Sequence, residues 1–335
     1  MGSFRALSAA DVQQILHAFG APAYRSHRPI PVGTINTNLR VETEDGPRFV
    51  RINEGKSEED VAREAAIVSH AATRGVPTPA PAMATDGLPY ARWSGALVSL
   101  FPWLPGRTLT RAEVAPAHAA EVGAALARLH LASHGFGDRR AGRYEPDEID
   151  RRLGFVASVS AGRPELAAAV AILGPELQAL RTERHADVPT GIIHGDLFID
   201  NVLYETAPGA GAAPSSSSEQ LVALLDFEQA SWGRLVYDLA VTLLAFAFGR
   251  EDFRPEIARA LVEGYARVRP PTPAERDAFG AELRFASCRF AVTRMTDVHL
   301  KRGEGAPPGK DFARYLARLE RVRHHLAAGD RWLDL

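Results

Sequence analysis

Two apolar runs in the second half of the chain, residues 192–204 and 222–228, limit the possible folds more than any other feature. Ile192, Ile193, Val202 and Leu203 in the first, and Val222, Leu224 and Leu225 in the second, are strand formers. Asn201 stands just before a predicted strand over 202–205, and Asp226 just after one over 221–225. The residues between, 206–220, are Thr, Ala, Pro, Gly, Ser, Glu and Gln, with almost nothing to bury. They read as a flexible surface insertion at the tip of an antiparallel hairpin. The open end of that hairpin then returns Asn201 to the side of Asp226. A carboxylate and a carboxamide oxygen together suit Mg²⁺, which takes hard oxygen ligands and leaves room for waters and phosphate. Asp196 lies in the loop leading to Asn201, where it can accept the proton of an attacking hydroxyl.

Upstream, Ser8 precedes a helical pattern through Phe19 closed by Gly20. Strand-like alternation follows at 39–43 and 48–52, with 44–46 as a turn between them. Ser57 and Asp60 form a capping box, and Val61, Ala65, Val68 and Ala72 give the next helix its apolar stripe until Gly75 ends it. Another buried strand at 95–101 runs into Pro102, Pro105 and Gly106, a punctuation that marks a boundary. Beyond it helices dominate, at 122–129, 239–248, 283–300 and 313–326. The reading is α+β. It has an N-terminal helical segment (1–27), a small antiparallel-sheet lobe (28–101) and a larger, mainly helical lobe (102–335) that carries the insertion 206–220.

Charge and composition exclude several classes. Lys and Arg number 39 against 41 Asp and Glu, a net charge of −2, which gives no basic footprint for nucleic acid. The mixed charges over 138–152 read as a solvated face. The longest apolar stretch, 239–248, is far short of the roughly 20 residues that span a bilayer. The N-terminus lacks a signal-peptide pattern, so a cytoplasmic location is expected. The one cysteine, Cys288, allows no internal disulfide or Cys-based zinc site, and its apolar helix marks it as a core thiol. His130 and His134 have zinc-like spacing, but no glutamate stands where a metal hydrolase needs its base. Gly55-Lys56-Ser57 mimics the end of a P-loop, yet Val50 stands where the first glycine is required.

The string HGDLFIDN at 194–201, followed by Asp226-Phe227, has the H-x-D-x-x-x-x-N…D-F-x spacing of the protein-kinase core. In this form it resembles the aminoglycoside phosphotransferase and choline kinase superfamily. Further motifs occur in order: 33–38, 74–79, 104–107, 126–130, Tyr237-Asp238-Leu239-Ala240 and the helix 283–297. Together they resemble the type II homoserine kinases of that superfamily, over roughly residues 28–325. The resemblance implies a bilobal kinase-like fold and ATP- and Mg²⁺-dependent phosphorylation of the homoserine hydroxyl, a step toward threonine. It further implies Asp196 as catalytic base, Asn201 and Asp226 as metal ligands, and Asp238 as a buried organiser of the loop that His194 opens.

Other residues gain roles within that frame. Glu64 lies on or beside the apolar face of its helix and needs a cation, for which Arg51 on the strand 48–52 is the partner. In kinases such a pair steadies the nucleotide phosphates, though most relatives would carry lysine at position 51. The turn 33–38, with Thr34, Asn36 and Asn38, is placed to cover those phosphates. Homoserine is a zwitterion, so its site needs a cation and an anion. Arg294 and Asp297, on one predicted helix face with Phe290, supply both, or else form an intrahelical salt bridge. The expected partners are ATP and a small hydroxyl compound, with the protein a monomer or homodimer. Other acceptors of this framework are an aminoglycoside, a choline-like amino alcohol or a sugar. The arginine at 51 also leaves open a nucleotide-binding module without turnover.

Overall fold

Two serine caps start the first two helices. The Asp11 amide donates to Ser8 Oγ and the Ser8 amide donates back to the Asp11 carboxylate at 2.8 Å, opening α1 (Ala9–Ala18). Ser57 and Asp60 form the same reciprocal box at the head of α2 (Glu58–Ala72). The computed structural model describes residues 5–30, 36–184, 187–206, 219–249, 252–302 and 311–333. The chain divides into two compact units, Met1–Arg107 and Thr108–Leu335.

The first unit is built on an antiparallel sheet of β1 (Tyr24–Ile30), β2 (Thr37–Thr43), β3 (Gly46–Asn53), β4 (Ala91–Trp93) and β5 (Ala96–Pro102), in the order β1-β2-β3-β5-β4. Alternate residues of β2, from Thr37 to Thr43, are buried, so one face of the strand carries the core. Val12, Ile15, Leu16 and Phe19 of α1 join Leu39, Val41, Val50, Ile52, Val98 and Leu100 in that core. β1 begins at Tyr24, ahead of any strand signal in the sequence, because its exposed positions carry no hydrophobic alternation.

The second unit runs through α3 (Pro116–Leu131), α4 (Pro146–Ser158) and α5 (Pro164–Glu183) into β6 (Thr190–Ile193), then β7 (Val202–Thr206), β8 (Glu219–Leu224) and β9 (Ser231–Arg234). β6 pairs with β9 and β7 with β8, both antiparallel. Then come α6 (Leu235–Ala247), α7 (Pro255–Val268) and α8 (Pro273–Arg294), which continues through a π-helical stretch, Met295–His299, into the single turn α9 (Leu300–Arg302). α10 (Ala313–Ala327) closes the order. A Cβ added at Gly123 of α3 or Gly264 of α7 would lie 2.0 Å from a backbone carbonyl of the other helix, so these glycines permit the two helices to touch.

The α+β class and the hairpin follow the sequence reading, with two local differences. Thr206, Glu219 and Gln220 are strand residues rather than insertion, because the ladder continues to the Thr206–Glu219 pair. Residues 207–218 lie outside the described residues. The mixed stretch 138–152 is also not wholly solvated. Part of it is α4, and Arg152 turns inward to reach Asp297 at 2.9 Å.

Candidate active site

β6 delivers the chain to His194, and the loop 194–201 is tied down from three directions. Asp238, in the first turn of α6 and fully buried, accepts from the His194 amide at 2.7 Å and the Gly195 amide at 2.8 Å. Its third partner is His130 Nε2 at 3.1 Å. His130 Nδ1 lies 2.7 Å from the Tyr265 hydroxyl, so the contact between α3 and α7 braces Asp238 from behind. Burial drives the His130 pKa down against the pull of Asp238. A neutral ring fits the geometry, with Nε2–H donating to the carboxylate and Nδ1 accepting from the tyrosine. Burial alone would raise the Asp238 carboxyl, but its bond to His130 and its other partners hold it below the usual carboxylate range.

The second tie runs to the hairpin. His194 Nε2 contacts the Leu225 carbonyl at 2.8 Å, the Leu225 amide donates to the Asn201 carbonyl at 2.9 Å, and Asn201 Nδ2 donates to the Asp196 carbonyl at 2.9 Å. This chain of bonds fixes Asp196, Asn201 and the residue before Asp226 on one frame. Asp226 itself is exposed and left-handed, with φ 61° and ψ 65°. Such a backbone strains most residues and is tolerated best by Gly, Asn and Asp. The third tie is steric: Gly195 has φ +74°, and a Cβ there would stand 3.0 Å from the Gln229 carbonyl.

The Asp196 side chain is one-third exposed, with Arg289 Nη1 3.5 Å from Oδ1. Burial pushes its carboxyl up, while the charges of Arg289, His194 and Arg294 pull it back. Arg289 is itself buried, lying 3.8 Å over the Phe290 ring and 4.3 Å over Tyr144. Sequence reasoning missed this contact, although an arginine amid Phe285, Ala286, Cys288, Phe290 and Ala291 is a signal that could have been read.

With its amide nitrogen bound to Asp196, the Asn201 carboxamide presents its oxygen, and the exposed Asp226 presents carboxylate oxygens. This hard, two-residue donor set fits Mg²⁺, which is ordinarily held by one or two protein groups with phosphate and water completing its shell. Among the described residues no group of three His, Cys, Asp or Glu could hold a metal. Both ring nitrogens of His130 are taken, by Tyr265 and Asp238.

In the first unit, Arg51 Nη2 meets Glu64 Oε1 at 2.7 Å, and Lys56 Nζ meets Glu64 Oε2 at 3.1 Å. Burial raises the Glu64 carboxyl, but the two cations outweigh it and hold the group ionised below the usual range. The Lys56 contact was not foreseen from the sequence. Asn38 pairs in register with Arg51, and Asn36 Oδ1 accepts from the Glu54 amide at 3.2 Å. Thr34 lies outside the described residues.

The intrahelical Arg294–Asp297 salt bridge, one of the two readings of this pair, does not form. A π-helical stretch begins at Met295, so the i, i+3 spacing no longer stacks the two residues. Asp297 instead pairs with Arg152 of α4 and, at 3.5 Å, with Lys301. Arg294 lies 5.7 Å from the Tyr315 ring.

Residues 26–279 match the phosphotransferase enzyme family. The chain belongs to that family. This phosphotransferase is an ATP-dependent small-molecule kinase. It is 32% identical over 338 residues to a homoserine kinase of Gluconacetobacter diazotrophicus, covering 98% of each chain. A homoserine kinase of Bradyrhizobium is 30% identical over 323 residues, covering 95% of this phosphotransferase and 94% of the relative. Among solved structures, an amicoumacin kinase in complex with AMP-PNP, Ca²⁺ and amicoumacin superposes with TM-score 0.65 at 14% identity, over 97% and 95% of the two chains, a likeness of fold alone. No helix among the described residues is long and apolar enough to cross a membrane.

Proposed function

We propose that this phosphotransferase transfers the γ-phosphoryl group of ATP to the side-chain hydroxyl of L-homoserine, giving O-phospho-L-homoserine and ADP, a step toward threonine. One observation carries the reading: the near-full-length likeness to homoserine kinases in a chain whose Asp196, Asn201 and the residue before Asp226 share one hydrogen-bonded frame.

Asp196 is the base. The homoserine oxygen attacks the γ-phosphorus, the bond to the β-phosphate bridging oxygen breaks, and the hydroxyl proton passes to the Asp196 carboxylate. Arg289 keeps that carboxylate oriented. Asn201 and Asp226 would hold Mg²⁺, which would neutralise phosphate charge. Glu64, shared between Arg51 and Lys56, presents a cation to the nucleotide phosphates, and Thr34, Asn36 and Asn38 are assigned to bind the same phosphates. Asp238 and His194 position the loop without touching substrate. Phosphoryl transfer leaves little covalent work for the protein, so rate comes from positioning and charge neutralisation.

The test is Asp226→Ala assayed for phosphohomoserine by phosphorus NMR, with folding checked by circular dichroism. A folded variant without product is expected. A folded variant that turns over normally refutes the assignment.

A further inference from the structure

Arg289 Nη1 stands 3.5 Å from Asp196, and Arg294 follows five residues later at the end of the same helix. Arg289 is 3% exposed and its Nε has no hydrogen-bond partner. Arg294 makes no ion pair among the described residues, and its Nη1 is buried without a partner. The carboxylate three positions along, Asp297, is taken by Arg152 and Lys301. A buried guanidinium with unused donors is costly unless an anion meets it. The ground beneath the pair is firm: Phe198 of the loop packs edge-on against Phe290 at 5.1 Å, and Phe290 stacks on Tyr315 at 5.0 Å. Arg289 lies over the Phe290 ring and Arg294 near that of Tyr315. The result is a surplus positive charge with unused donors beside the carboxylate assigned as base.

We propose that Arg294, seconded by Arg289, is the subsite for a carboxylate on the acceptor. The enzyme then selects small hydroxy acids over the cationic alcohols that lack one. The inference rests on the homoserine reading of the site and adds the residues that enforce it. The hydroxyl and carboxylate of homoserine are about 5 Å apart when extended. A hydroxyl at Asp196 therefore leaves its carboxylate beside Arg289 and the Phe290–Tyr315 ring pair that Arg294 borders. A quaternary or primary ammonium in the same place would face two like charges.

Three acceptors separate the groups: L-homoserine, 4-hydroxybutyrate (no ammonium) and 3-aminopropan-1-ol (no carboxylate). Each is assayed by ADP release with wild type, Arg294→Met and Arg294→Lys. For wild type, kcat/KM on 3-aminopropan-1-ol is expected about 100-fold below that on L-homoserine, with 4-hydroxybutyrate between them. Arg294→Met should raise the homoserine KM about 30-fold with kcat changed less than threefold, and shrink the preference over 3-aminopropan-1-ol toward one. Arg294→Lys should restore part of it. Wild type that uses 3-aminopropan-1-ol as well as L-homoserine overturns the proposal without recourse to any variant. Homoserine turnover with the preference intact in Arg294→Met also overturns it, and leaves the homoserine reading standing. Wild type that phosphorylates 4-hydroxybutyrate but not homoserine, with a preference lost in Arg294→Met, keeps the subsite and removes homoserine.

Discussion

Replacing Asp238 by Asn keeps size and shape while removing one charge and one acceptor, so its cost can be worked from three distances. In the better orientation the amide oxygen takes the place of Oδ2 and still accepts from the His194 amide and His130 Nε2, now at 2.7 and 3.1 Å. The amide nitrogen then points its hydrogens at the Gly195 amide, which donates to Oδ1 at 2.8 Å. Two donors face each other in a fully buried place. An orphaned buried N–H costs about 1–3 kcal/mol, and turning two charge-assisted bonds into neutral ones costs about 0.5–1 kcal/mol each. Relief from burying a charge returns part of this, leaving a net loss of about 2–4 kcal/mol. Urea unfolding followed by fluorescence should show the midpoint lowered by roughly 1 M. Turnover should fall about 100-fold or more, because the Gly195 amide leads directly into Asp196. Amide exchange at His194 and Gly195 should accelerate selectively. A variant with the wild-type midpoint and turnover within twofold would show that Asp238 does not organise the loop.

Gly195→Ala should lose about 1–3 kcal/mol and most of its turnover, since its left-handed φ and the 3.0 Å approach to Gln229 both oppose a Cβ; a variant with unchanged activity refutes the steric tie. The pH dependence of folding carries the mark of His130. Its folded pKa lies below the unfolded value of about 6.5, so its stabilising share is whole above that pH and is lost as the pH falls through the folded pKa. Between pH 7 and 5.5 the wild type should therefore lose up to about 1 kcal/mol more than His130→Gln in paired urea titrations. Equal slopes would show that His130 is not held neutral.

The hairpin and the loop were legible because their signals are local. The apolar runs fix the pairing of Val202 with Leu224, and that register alone returns Asn201 to Leu225 and so to Asp226. The Arg51–Glu64 contact was legible because a carboxylate beside an apolar stripe needs a cation. Lys56 was not, since its side chain folds back onto the helix it precedes, and its neighbours Gly55 and Ser57 suggest a phosphate loop. Arg289 escaped because its contact with Asp196 spans 93 residues and is made inside the core, where pattern reading expects apolar side chains. The alternative of an intrahelical Arg294–Asp297 bridge failed for a different reason. Helical periodicity assumes 3.6 residues per turn, and the π-helical stretch after Arg294 turns Asp297 toward α4 without any trace in the hydrophobic pattern.

The central claim is that Asp196 takes the proton of a homoserine hydroxyl as ATP is cleaved. Mg²⁺-dependent ADP release, measured with L-homoserine, choline, an aminoglycoside and a simple sugar beside Asp196→Asn, tests it most directly. The account predicts release that depends on L-homoserine and falls at least about 1000-fold in the folded variant. Release that prefers another acceptor, or that persists in Asp196→Asn, contradicts it.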